Sequence, residues 1–292
     1  MSDAKFSEII PEGTVAVTLG VDSQSDGFYW LVACWGRGME LWLPLTDRMI
    51  GDMRNDAVWK RLADVLSTRW TDKAGNIYPS ALSALDVQGD YYPQCLEFIR
   101  SHGLRLKLRG VRGHTTARAV GQRIGILRNV YRDNATGVSV QNVDVDMAKS
   151  IVANMLARTA PGAGYVHLPC GANGEVKGNW DAEAIAELVA EYRRQSNVRG
   201  YTVTRWHKRL GKPNHRGDAL VYALAALTMT RLKIDECAVQ RIEARNVGKA
   251  DLKPEPVKWG AQPIKIADVT NWSGYLPRPN NSAFGVSGVV VW

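Results

Sequence analysis

Three aspartates stand where a carboxylate is costly. Asp22 follows the apolar run VAVTLGV, Asp86 follows SALSAL, and Asp218 opens DALVYALAAL after the polar loop GKPNHRG. An ionised side chain at the edge of a hydrophobic strand loses hydration, and a divalent cation offsets that loss directly. Mg²⁺ needs few protein carboxylates and leaves its other positions to water and phosphate oxygens. Taken singly, Asp22 and Asp86 can start turns and Asp218 can cap its helix. Taken together with two basic segments elsewhere in the chain, a shared metal site explains them better. Asp26, Asp90, Asp144 and Asp146 are secondary candidates, with turn or cap roles as their plainer readings. His215, three residues before Asp218, is placed to orient a water or touch a phosphate, although a solvated loop histidine is the simpler role. His207 alternates with strand residues and is assigned nothing.

The elements that must position these groups can be read from periodicity. Three strand-like runs, Thr14 to Val21, Gly27 to Trp35 and Met39 to Leu45, are separated by turn-like SQSDG and GRG. Val58, Leu62, Val65 and Leu66 predict an amphipathic helix from about Asn55 to Trp70. Ser80 to Leu85 reads as a buried strand ending at Asp86, Tyr92 to His102 as a helix stopped by Gly103, and Leu104 to Leu108 as the next strand. A hairpin is expected at DNATG, residues 133–137, and Asp146 is expected to cap a helix running to Arg158. Gly164 to Leu168 predicts a short strand, Asp181 to Arg194 a helix, Tyr201 to Trp206 a strand and Asp218 to Leu232 an apolar helix. Hairpin-like strands followed by helix and strand in alternation imply an α/β fold with a mixed central sheet flanked by helices. Residues 1–12 read as a lead-in, 13–238 as the main domain and 239–292 as an irregular Pro- and Asn-rich C-terminal tail. Trp259, Trp272 and Trp292 in that tail are residues of the kind that dock into partners.

Composition narrows the function class. With 292 residues, 45% hydrophobic and 23% charged, the chain can bury a sizeable core and is not a disordered protein. No run reaches the ~20 apolar residues of a membrane span, and the first residues lack a signal-peptide pattern. Four scattered cysteines without a CxxC pair argue against a zinc knuckle or a disulfide framework. The charge is segregated. Nine basic residues and no acid lie between Arg100 and Arg132, and eight more, again without an acid, lie between Tyr192 and Gly217. Those seventeen exceed the net charge of +8, so the rest of the chain is acidic. Arginine-rich segments of this kind suit a polyanion, because they displace the counterions condensed on phosphates. Nucleic acid is the favoured partner, with Arg109, Arg112, Arg118, Arg123 and Arg128 as leading contacts and Lys208, Arg209, Lys212 and Arg216 flanking the Asp218 helix.

The motifs LGVDSQSD, ALDVQGD and HRGDALVYALAAL, separated by 64 and 132 residues between their aspartates, resemble the nuclease domain of lambda-type phage terminase large subunits. VDVDMAKSIVANML, GAGYVHLP and TRWHKRLGKPNHRGD extend the resemblance over roughly Pro11 to Arg231. It implies a ribonuclease H-like fold and metal-dependent cleavage of double-stranded DNA during genome packaging. By position it makes Asp22, Asp86 and Asp218 the metal ligands. In a two-ion hydrolysis with Mg²⁺ or Mn²⁺, Asp22, between two strands at the centre, is expected to bridge both ions and Asp86 and Asp218 to complete one each. Asn214 matches the family's asparagine at that place, whereas Val-Gln-Gly after Asp86 departs from the small residues common there. The resemblance also implies partners: the portal, the small terminase subunit and a packaging ATPase, in the host cytoplasm. No GxxxxGK[ST] occurs, so ATP hydrolysis is not expected; the chain is read as a truncated or separately encoded nuclease half.

Two other readings compete. A junction-resolving or integrase-like nuclease shares the acidic triad and would cut four-way junctions selectively. A non-catalytic DNA-clamping or portal-docking module would bind DNA without metal and survive loss of the three aspartates. For the basic segments, each phosphate contact removed by Arg→Ala should lower the salt slope of DNA binding by roughly 0.9. An unchanged slope after several such replacements would exclude them as the DNA surface.

Overall fold

The computed structural model describes residues 9–115, 125–171, 175–198, 200–247, 264–265 and 290–291. Strands β1 (Ala16–Gln24), β2 (Gly27–Trp35) and β3 (Leu41–Ile50) form an antiparallel meander. Gln24 pairs with Gly27 across a two-residue turn, and a 3₁₀ turn at Arg37–Met39 leads into β3. Helix α1 (Asp56–Ser67) follows, capped by Asn55, whose Oδ1 accepts from the Ala57 amide. The small hairpin β4 (Arg69–Thr71) and β5 (Ile77–Pro79) returns the chain to β6 (Leu82–Asp86), parallel to β1. Helix α2 (Tyr92–His102) leads to β7 (Leu108–His114), parallel to β6, and the hairpin of β8 (Leu127–Arg132) and β9 (Ser139–Asp144) follows. Next come α3 (Val145–Leu156), β10 (Val166–His167), α4 (Ala182–Leu188), the ribbon β11 (Glu191–Val198) and β12 (Tyr201–Lys208), then α5 (His215–Thr230) and α6 (Ile234–Val247). A short pair, β13 (Ile264–Lys265) with β14 (Val290–Val291), ends the described residues.

The sheet order is β10-β3-β2-β1-β6-β7-β9-β8. A β3-β2-β1 meander extended beyond β1 by parallel strands is the ribonuclease H-like arrangement. The two-residue alternation of a strand divides its side chains between two cores. Val17, Leu19 and Val21 of β1 join one core with Leu62 of α1 and Leu96 of α2. Ala16 joins the other, beside Ala184 of α4, Ala219 to Leu227 of α5, and α3 and α6. On that second face Thr18 donates its hydroxyl to the Ala223 carbonyl oxygen, at 2.9 Å. At Gly20 a Cβ would stand 1.8 Å from the Ala219 carbonyl oxygen and 2.6 Å from the Ala223 amide nitrogen. Strand and helix backbones therefore meet where only hydrogen fits. Among the described residues no helix is long and apolar enough to cross a membrane.

Several expectations need correction. The strand expected at Leu104 to Leu108 begins only at Leu108, because residues after Gly103 form turns that return the chain to the sheet. Asp144, not Asp146, caps α3 by accepting from the Met147 amide at 3.0 Å. The helix expected to reach Arg194 stops at Leu188: Glu187 turns inward to a buried ion pair, and Glu191 onward pairs with β12. Asp218 does not open α5 but lies in its first turn, behind Asn214 at the N-cap position. Helix α6 continues past the domain boundary expected at residue 238, and Ile10 of the expected lead-in is buried, its amide donating to the Thr71 carbonyl.

Gly20→Ala tests the strand–helix contact. Because the clash is with backbone, we expect a loss of about 3 kcal/mol in urea unfolding, at the upper end of overpacking costs. A destabilisation below about 0.5 kcal/mol would show that the helix yields easily and does not depend on Gly20.

Candidate active site

The same alternation that sends Thr18 and Gly20 toward α5 carries Asp22 to that face, and Asp86 follows Ala84 there. Val21 pairs with Leu85 in parallel register, so both aspartates emerge together at the carboxyl ends of adjacent central strands. Such ends, where connections diverge, are the usual ligand sites of open α/β sheets. Helix α5 descends from this end, and its first turn brings Asp218 into the same cleft, of about 540 Å³, with Lys149 and Tyr222 also lining it.

Each carboxylate has its own partners. Asp22 Oδ2 accepts from Gln24 Nε2 at 2.8 Å and lies 2.9 Å from His215 Nδ1. The His215 ring stacks on Tyr29 at 4.3 Å between centroids. Asp86 Oδ1 accepts from the Gln88 amide at 3.0 Å, and its Oδ2 accepts from the Tyr222 hydroxyl at 2.8 Å. Asp218 Oδ2 accepts from Asn214 Nδ2 at 2.8 Å, and its Oδ1 pairs with Lys149 Nζ at 2.8 Å. Asp22 and Asp86 are only 2% and 7% exposed, which sets their electrostatics. Burial lifts Asp22 from its ordinary 3.8 to about 6; the His215 hydrogen bond opposes the rise and the Asp218 charge adds to it. Burial, then the Asp22 charge, push Asp86 up to about 8.

Carboxylates desolvated and repelled in this way mark a place short of positive charge, and hard carboxylate oxygens suit Mg²⁺ or Mn²⁺. The donor chemistry therefore fits a divalent ion. As the side chains stand, no three His, Cys, Asp or Glu groups among the described residues converge on one ion. Asp218 instead holds the Lys149 ammonium.

The secondary candidates separate. Asp90 lines the cleft, and Asp26 sits exposed in the β1–β2 turn. Asp144 pairs with Arg128, and Asp146 Oδ1 accepts from the Trp206 amide at 2.9 Å, tying β12 to α3. His207 lies in the ribbon against Tyr192. Among the basic residues, Arg109, Lys208 and Lys212 are exposed, and Arg112 and Arg209 are half-buried. Arg118 and Arg123 lie outside the described residues, as do Trp259, Trp272 and Trp292. Arg216 is a correction: it is buried, its Nη1 2.7 Å from Glu187 Oε1 and its guanidinium over the Tyr29 ring, so it faces inward and not toward a phosphate. Arg128 is likewise drawn into its ion pair, with a side chain 17% exposed. Sequence reasoning missed Lys149, Glu191 and Tyr222. Tyr222 sits four residues after Asp218, on the same helix face, and that spacing was the available signal; Lys149 and Glu191 carried none.

Residues 3–240 match the family model described as the endonuclease domain of the terminase large subunit gpA. The terminase large subunit of Escherichia phage lambda is 25% identical over 240 residues, covering 80% of this chain and 36% of that protein. The chain thus spans little more than a third of that relative's length. The large terminase of a thermophilic bacteriophage aligns with a TM-score of 0.36 and 10% identity, over 78% of this chain and 44% of that one. With the family model spanning most of its length, the chain belongs to the gpA-type terminase large subunit endonuclease-domain family.

Proposed function

We propose that this chain is a divalent-metal-dependent endonuclease that hydrolyses phosphodiester bonds of double-stranded DNA during phage genome packaging. The observation that carries this reading is the meeting of Asp22, Asp86 and Asp218, from three distant segments, in one open cleft where the buried pair repel. Asp22, with Asp86 and Asp218 on either side, would hold two ions. When bound, such ions activate a water and stabilise the leaving 3′ oxygen. The chain's own groups supply the rest. Tyr222 and the Gln88 amide fix the Asp86 carboxylate, and His215 with Gln24 fixes that of Asp22. Arg109, Arg112, Lys208, Arg209 and Lys212 are the described cations offered to the phosphate backbone. The wider partners, namely the small subunit, the portal and a packaging ATPase, follow from family membership as part of the same proposal.

Asp22→Asn should abolish metal-dependent nicking and linearisation of supercoiled plasmid while leaving DNA binding intact, because it removes metal affinity and not the cationic surface. Full cleavage by that variant would sink the assignment.

The raised carboxylates also set a pH dependence for the protein in chelator. A folded-state pKa above the unfolded value contributes stability that is present below about 4 and lost as pH rises through about 6 for Asp22 and about 8 for Asp86. Asp86→Asn, which cannot ionise, should therefore gain stability relative to the parent as pH rises from about 5 to about 8, by more than about 1 kcal/mol. Urea unfolding of both proteins in EDTA checks this, and a constant difference across that range would refute it.

A further inference from the structure

Lys149 sits in the acidic cleft with a side chain only 13% exposed. Its Nζ lies 2.8 Å from Asp218 Oδ1, and 2.8 Å and 2.7 Å from the two carboxylate oxygens of Glu191. Burial works against its charge, and Asp218 and Glu191 outweigh that penalty, so its pKa stands above its ordinary value. Asp218 has its second oxygen on Asn214. Both of its oxygens therefore already have donors from the chain. An ammonium and a divalent ion placed beside one carboxylate compete for it through the same attraction. A buried lysine that simply lost Asp218 would be left as a costly unpaired charge. Glu191 removes that obstacle, because it offers two oxygens within the reach Lys149 already has. Glu191 is also the first residue of β11, opposite Lys208 in the exposed ribbon, whereas Lys149 stands on α3.

We propose that Lys149 is a positioning residue that acts as the resident cation of this site: it yields Asp218 to a divalent ion and passes wholly to Glu191, so that the Lys149–Glu191 pair sets metal affinity. This rests on the reading of Asp22, Asp86 and Asp218 as the metal site. The plainer alternative makes Lys149 a fixed strut that holds Asp218 in its working orientation, and the two differ in sign.

Calorimetric titration of the 292-residue chain with Mn²⁺, without DNA, separates them. Lys149→Met should bind Mn²⁺ at least about tenfold more tightly than the parent, because a competing charge has gone. Glu191→Gln should bind it more weakly, since a neutral amide cannot balance the Lys149 charge once Asp218 is given up. The double variant should stay close to Lys149→Met and well above the parent, because Glu191 acts chiefly through the ammonium, its direct effect on the Asp218 charge and its Asn214 contact being the smaller part. Unchanged or weaker binding by Lys149→Met would overturn the exchange in favour of the strut. A double variant that returns to the parent's affinity would also overturn it, leaving only additive charge effects. If Lys149→Met does not fold, as judged by circular dichroism, Lys149→Gln carries the same expectations. A parent chain that binds no Mn²⁺ and cuts no DNA would overturn the metal site itself, and the exchange with it. Metal binding and cleavage by a parent whose Lys149 variant binds no tighter would overturn the exchange alone.

Discussion

At Gly20 the backbones of β1 and α5 come together with no side chain between them, and the position of Asp218 follows from that contact. The Thr18 hydroxyl on the Ala223 carbonyl pins the next turn of the helix to the same strand. Any larger residue at position 20 would lift the helix away from the sheet. The first turn of α5 would then leave the ends of β1 and β6, and Asp218 and Tyr222 with it. A small-residue contact deep in the core thus sets distances in a polar cleft several residues away. Close packing transmits the displacement because the interior has no slack to absorb it.

Charge is the second constraint. The cleft gathers Asp22, Asp86 and Asp218, with Glu191 reaching them through Lys149. Desolvation and mutual repulsion make this arrangement unfavourable for a folded chain on its own, as the upward shifts of Asp22 and Asp86 record. Hydrogen bonds from Tyr222, Gln88, Gln24 and Asn214 orient the oxygens without neutralising them. The site is therefore built to favour added positive charge, which is the property a metal-assisted hydrolase needs.

The arginines divide between two settings, buried and exposed, that composition cannot separate. Arg216 and Arg128 are structural, each with a buried acid, Glu187 and Asp144. Glu187 explains why α4 ends early: its carboxylate turns inward to the Arg216 amide and guanidinium, and the chain beyond joins the ribbon. Asp144 serves Arg128 and the N-terminus of α3 at once. Of the candidate contacts, the exposed Arg109, Lys208 and Lys212 lie instead on β7, the ribbon and the loop before α5. Removing one partner of a buried pair is costly, so the internal arginines are a folding requirement before they are anything else.

Much of the architecture was legible in the sequence because it is written in local periodicity. The three opening strands, α1, α2 with its stop at Gly103 and the hairpin after β8 all follow from apolar spacing and turn residues. The aspartates were legible as well, since a carboxylate ending an apolar run is conspicuous wherever it lies. The sequence by itself therefore determined the opening strands, α1, α2 and the apolar α5, the charge segregation and which aspartates border apolar runs. Only the tertiary structure decided that Asp22 and Asp86 share a face, that Lys149 and Glu191 join them, that Asp144 caps α3, and that Arg216 turns inward. Those outcomes depend on pairings between residues tens to hundreds of positions apart, and such pairings leave no mark on local composition or period.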